Sequence, residues 1–223
     1  MSYFNKIKGL FDKLSQKDIV KILLRFYLVG FLGLSIPYTR NLFIFIMAPT
    51  LLLTVAFLLF FHKQWQIKQW VLLSFIAVSG FLVEVAGVQT SLVFGSYQYG
   101  SALGFKLFDT PLMIGINWFM LVYCFWAIVS MIHVPSWLRV PLAATMMLVY
   151  DIILEPVAMR LDMWSWENDT IPLQNYLAWF VISLEFFFLL ALFRIKIFNP
   201  ASKWLIVFHT AFFIFLNISL RLF

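Results

Sequence analysis

The sequence predicts an all-α, polytopic membrane protein with about seven transmembrane helices. Three observations carry that reading. The chain is 63% hydrophobic and only 12% charged, with a mean hydropathy of +0.94. A soluble domain is nearer half apolar and a quarter charged. Apolar runs close to the roughly 20 residues that a bilayer crossing needs recur along most of the chain. Turn residues and charges separate them at short intervals, which leaves no length for a separate soluble module.

Seven segments meet the requirement: residues 19–36, 41–61, 69–88, 111–133, 137–156, 173–193 and 203–221. Pro37 and Arg40 separate the first two, His62 and Lys63 close the second, and Asn199 and Pro200 precede the last. Residues 1–17 are of another kind, mixed polar and basic, without the apolar core of a cleavable leader. There Phe4, Ile7, Phe11 and Leu14 recur at helical spacing among Lys6, Lys8 and Lys13, the pattern of an amphipathic helix on the cytoplasmic membrane surface. Residues 18–223 then make one transmembrane domain.

With the N-terminus in the cytoplasm, twelve cations fall inside: Lys6, Lys8, Lys13, Lys17, Lys21, Arg25, Lys63, Lys68, Arg139, Arg194, Lys196 and Lys203. Only Arg40, Lys106, Arg160 and Arg221 fall outside. That asymmetry predicts N-terminus in and C-terminus out, with long external loops at residues 89–110 and 157–172. It also accounts for the net charge of +6 without nucleic acid, because no basic solvated face is present to bind one. The single Cys124 lies in an apolar run and gives no disulfide framework.

An internal repeat relates the third and fourth segments to the fifth and sixth. Glu84 precedes Tyr97 at the spacing at which Asp151 precedes Trp164, and Tyr99 and Trp166 follow two residues later. Pro111 precedes Trp118 at the spacing at which Pro172 precedes Trp179. The two copies run in the same direction, so a pseudo-two-fold axis along the membrane normal should relate them. The repeat makes Glu84 and Asp151 equivalent acids, each about one turn inside the external end of its helix, with the aromatics rimming a shared cavity.

A charged carboxylate at the centre of a span costs about 2.5–3.5 kcal/mol by insertion scales. A carboxyl that stays protonated avoids much of that cost and is a proton donor. Glu84 and Asp151 are therefore the first catalytic candidates. Glu155 lies one turn from Asp151 and beside Pro156, where the segment is expected to end near water. Asn117 and Asn175 are placed to orient an acid or a water, or to bond between helices. Glu185 has no acidic counterpart and no role assigned. Tyr97, Tyr99, Trp118, Trp164, Trp166 and Trp179 suit either an interfacial belt or an apolar pocket whose π faces shelter a carbocation. His62, His133 and His209 show no metal-ligand spacing, so no metal is expected. A retinal Schiff base is excluded by the lack of lysine in "WLIVFHTAFFIFLNISL". A prenyltransferase is disfavoured, since Asp151 and Glu155 alone are too few for Mg²⁺ and diphosphate.

The stretches "EVAGVQTSLVFGSYQYGSALGFKLFDTP" and "DIILEPVAMRLDMWSWENDTIPLQNYLAWF" resemble the bacterial carotenoid-biosynthesis membrane family that includes CruF-type carotenoid 1,2-hydratases. The first half carries the resemblance at Glu84, Gly87, Thr90, Phe94, Gly95, Tyr97, Tyr99, Gly104, Pro111 and Trp118. The second carries it at Asp151, Glu155, Pro156, Trp164, Trp166, Pro172, Asn175 and Trp179. Ser91 stands where that family has glycine, and Glu155 where aspartate is common. The resemblance implies a multi-pass enzyme of the inner (cytoplasmic) membrane, working beside other carotenoid-biosynthesis enzymes. It implies a C40 carotenoid drawn from the membrane lipids, water as co-substrate and no cofactor. Protonation of the terminal double bond gives a tertiary cation, and water capture gives a tertiary alcohol. The alternatives are a lycopene-type cyclase, which begins with the same protonation, and a non-enzymatic carotenoid- or lipid-binding protein.

Overall fold

The computed structural model describes residues 14–222. Most of the expected surface helix, residues 1–13, therefore lies outside the described part. Helix α1 (Gln16–Ser35) opens on a capping box: the Ser15 hydroxyl accepts from Asp18 N–H and the Asp18 carboxylate accepts from Ser15 N–H. The guanidinium of Arg40 donates to the carbonyls of Leu34 and Ser35, satisfying the far end of α1.

The expected segment 41–61 is not one straight helix. It is α2 (Pro37–Phe45) and α3 (Met47–Phe61), bent by 62° at Ile46. Pro49 is the cause: it has no N–H to give the carbonyl of Phe45, and its ring clashes there. The chain continues as α4 (Ile67–Thr90), α5 (Met113–Met131), α6 (Ser136–Arg160), α7 (Leu173–Leu192) and α8 (Ser202–Leu222). Helices α4 to α8 are long and apolar enough to cross a membrane, and the bent pair adds a sixth span if it counts as one. Lys17, Asp18, Lys21 and Arg25 shorten the apolar stretch of α1. The chain is thus an all-α, polytopic membrane protein.

Helix α5 is the central element. Trp118 to Ala127 are buried without interruption, as in a helix enclosed on all sides. Helix α4 packs on one flank of it, α6 on another, and α8 closes the bundle against α1. Outward stripes such as Val71, Phe75, Val78 and Leu82 on α4 remain exposed and apolar, as a lipid-facing surface requires.

Two short strands join the copies of the repeat. Strand β1 (Tyr97–Tyr99) pairs antiparallel with β4 (Trp164–Trp166) in the register Tyr97 to Trp166, Gln98 to Ser165 and Tyr99 to Trp164. That register is what a two-fold axis through the Gln98–Ser165 pair produces between the repeat-equivalent positions. A second small ribbon, β2 (Lys106–Leu107) with β3 (Thr110–Pro111), leads into α5. Ser91 adopts the left-handed cap of α4, φ 57°, and its N–H donates to Gly87. The serine thus holds the conformation that glycine takes more cheaply.

The strand pair is clamped at one end. Ser101 N–H and hydroxyl both donate to Asp162, and Gly100 N–H donates to Met163. These Ser101 bonds hold the Asp162 carboxyl below its ordinary range. A Cβ at Gly100 would run into the backbone oxygen of Asp162. Gly100→Ala is expected to part the strands and to lower unfolding stability by about 1–3 kcal/mol, read as a fall in melting temperature. An unchanged melting temperature would show that the pairing tolerates the added methyl.

Candidate active site

Each candidate acid is held by a different set of donors. Glu84, on α4, accepts through Oε2 from the hydroxyls of Tyr97 (2.7 Å) and Tyr99 (2.8 Å). Its Oε1 accepts from the Trp118 indole at 3.1 Å. Glu155, on α6, accepts through Oε2 from the indoles of Trp164 (3.0 Å) and Trp166 (2.8 Å). The Asn175 amide of α7 donates both to Glu155 Oε1 at 3.2 Å and to Asp151 Oδ2 at 3.1 Å. Asp151 Oδ1 is buried with no partner among the described residues. All three carboxyls are buried, with exposures of 4%, 0% and 1% for Glu84, Asp151 and Glu155.

The local fold explains the arrangement. Alternation along a strand sends residues 97 and 99, and likewise 164 and 166, to one face. Both faces look inward, so two phenols reach Glu84 and two indoles reach Glu155. Burial first, and then the neighbouring Glu84, push both tyrosine hydroxyls above their ordinary range, so they remain donors. Trp118 and Trp179, equivalent in the repeat, stack with centroids 4.3 Å apart. Tyr97 lies against Trp166 and Tyr99 against Trp164, at 4.9 and 6.0 Å.

Two expectations need correction. Pro156 does not end its helix: α6 continues to Arg160. A proline in a span is tolerated when neighbouring helices and side chains satisfy the freed backbone. Glu155 is consequently enclosed rather than at a wet exit, and Asp151 lies about two and a half turns inside the helix end, not one. In its bonding, the counterpart of Glu84 is Glu155, because Glu155 is the acid nearer the helix end that the Trp164–Trp166 strand follows, while Asp151 lies one turn deeper.

A small cavity of about 20 Å³ lies between the two glutamates. It is lined by Glu84, Glu155, Tyr97, Tyr99, Asn175 and the stacked tryptophans, among others, whereas Asp151 stands behind Asn175. About 10–15 Å³ of such space holds one water, given polar partners. A larger cavity of about 450 Å³ adjoins it, because Ile114, Asn117 and Trp164 line both. Asn117 therefore stands at the junction and bonds to none of the three acids among the described residues.

The larger cavity draws on helices that no motif singled out. Tyr27 of α1, Phe43 and Met47 at the bend, Tyr150 of α6 and His209 of α8 contribute to its wall. The Tyr27 hydroxyl and His209 Nδ1 are 3.1 Å apart, and Tyr150 stacks on His209 at 5.7 Å. The only sequence signal for this pair was a polar ring inside an apolar span. Glu185 lies exposed on the outer face of α7, outside both cavities.

A family model described as carotenoid biosynthesis protein matches residues 43–222, most of the chain and all three acids. No curated protein and no solved structure matches it.

Proposed function

The chain belongs to the carotenoid biosynthesis protein family, and from that premise we propose that it hydrates the terminal double bond of an acyclic carotenoid. The substrate is a C40 polyene with a ψ-end, of the lycopene or γ-carotene type, taken from the bilayer of the cytoplasmic membrane. The observation that carries the reading is a water-sized cavity between two buried glutamates, adjoining an apolar cavity of a size to take the end portion of a polyene.

In this mechanism Asp151 and Glu155 hold one proton between them, a state favoured by two buried carboxyls sharing a single amide donor. Glu155 faces the cavity and delivers the proton to the terminal alkene carbon. The C–H bond forms at the expense of the π bond and leaves a tertiary cation on the neighbouring carbon. The faces of Trp118, Trp164 and Trp179 shelter that cation. Glu84, which accepts from the Tyr97 and Tyr99 hydroxyls and the Trp118 indole, is the ionised carboxylate in this mechanism. It orients the water, stabilises the cation and takes the water's proton as the C–O bond forms. Return of that proton from Glu84 to the Asp151–Glu155 pair closes the cycle, so the sum is alkene plus water to alcohol, balanced without oxidant or reductant.

Cyclisation would begin with the same protonation, but an internal double bond would capture the cation in place of water. The polar, water-sized cavity favours hydration. Expression in a lycopene-accumulating bacterium separates the readings by the mass of the pigments. Gain of one or two waters is the expected result. A product of unchanged mass would replace hydration by cyclisation, and unaltered lycopene would leave only binding.

A further inference from the structure

The end of the bundle opposite the acids holds a second concave site, unrelated to the carotenoid chemistry. We propose that it binds the phosphate group of an anionic phospholipid in the leaflet on that side. A cavity of about 730 Å³ lies between the end of α5, the start of α6 and the α7–α8 linker. Lys63, Arg139, Arg194 and Lys196 line it together with Ser130 and Ser136. A neighbouring cavity of about 260 Å³ shares Arg194 and Lys196 and adds Lys68. No acidic side chain lines either cavity among the described residues.

Cations that only set orientation lie in solvated loops and need not converge. These converge because the linker is fixed. Lys63 N–H donates to the Phe198 carbonyl (2.9 Å), the Gln69 amide to Lys196 (2.6 Å) and the Trp126 indole to Ile195 (2.9 Å). Arg194 is held in the left-handed region at φ 51°, a conformation that a non-glycine residue keeps only when its surroundings impose it. Arg139 Nε is buried and has no acceptor among the described residues. The Arg139 guanidinium, with three further cations beside it on the cavity wall, matches the several acceptor oxygens of a phosphate.

The surroundings choose the lipid over the free ion. Trp137 is 73% exposed and Phe198 56% exposed at the same end, the placement of interfacial anchors at the headgroup level. Basic pockets between spans at this level suit anionic headgroups.

The test uses the full chain in detergent, with bound lipid counted by native mass spectrometry. Phosphatidylglycerol should be retained at least tenfold more tightly than phosphatidylcholine, and equimolar inorganic phosphate should not displace it. Removing one cation should weaken retention by about fivefold, so the Arg139→Gln, Arg194→Gln double variant should bind the two lipids alike. Lys63→Gln changes an exposed side chain and provides a folded variant in any case, with a loss of the same order. Equal retention of the two lipids by the unaltered protein would overturn the proposal, as would unchanged retention in the variants. Displacement by inorganic phosphate would assign the site to a free anion instead.

Discussion

Glu155→Gln is expected to lower carotenoid hydration by about 10²–10⁴-fold, the range lost when a general acid is removed, while the protein still inserts and folds. The change preserves shape, and the glutamine oxygen still accepts from Trp164 and Trp166, which donate to Glu155 Oε2. What disappears is the transferable proton at the face of the cavity. Asp151→Asn should also cost activity, because the shared proton goes with it. The loss should be smaller, since Glu155 still lines the cavity and Asp151 stands behind Asn175. Glu185→Gln serves as the comparison, for it lies on the outer face of α7 and should leave turnover unchanged. Turnover by Glu155→Gln at the original rate would remove Glu155 as the donor.

Asn175→Leu is expected to damage stability and activity together. Its amide is bonded to both Asp151 and Glu155, so the substitution leaves two buried carboxyl oxygens without that donor. Each such loss costs about 1–3 kcal/mol, which should appear as a lower melting temperature in detergent. The two acids would also repel or reorient, and a misplacement of about 1 Å at a reacting group costs on the order of 100-fold in rate. A variant with wild-type melting temperature and turnover would show that the amide does not hold the pair.

Much of this arrangement is legible in the sequence, for physical reasons. Buried acids are costly in lipid, so Glu84, Asp151 and Glu155 stand out from an apolar background. The equal offsets to Tyr97 and Trp164 mark the aromatics that meet across the axis, though not that they do so as paired strands, and Trp118 and Trp179 stack where the repeat places them as equivalents. Other features depend on contacts that no local pattern encodes. Pro49 lies beside a 62° break in its segment, whereas Pro156 lies inside the unbroken α6, and no local pattern tells the two apart. The assignment of indoles to Glu155 rather than Asp151 depends on the helix running past Pro156 to Arg160, which leaves Asp151 a turn too deep for the strand to meet. The large cavity is assembled from Tyr27, Phe43, Tyr150 and His209, which are distant in the chain and meet only when α1 and α8 close on α6.

In the proposed reaction water, admitted beside two glutamates, is the source of the product's oxygen. The direct measurement is incubation of the purified protein with lycopene in heavy-oxygen water, followed by mass analysis of the pigment. Hydration should yield an alcohol carrying one heavy oxygen for each hydrated end, with little or no such product from Glu155→Gln. A pigment isomerised without oxygen, or an alcohol whose oxygen is light, would contradict it.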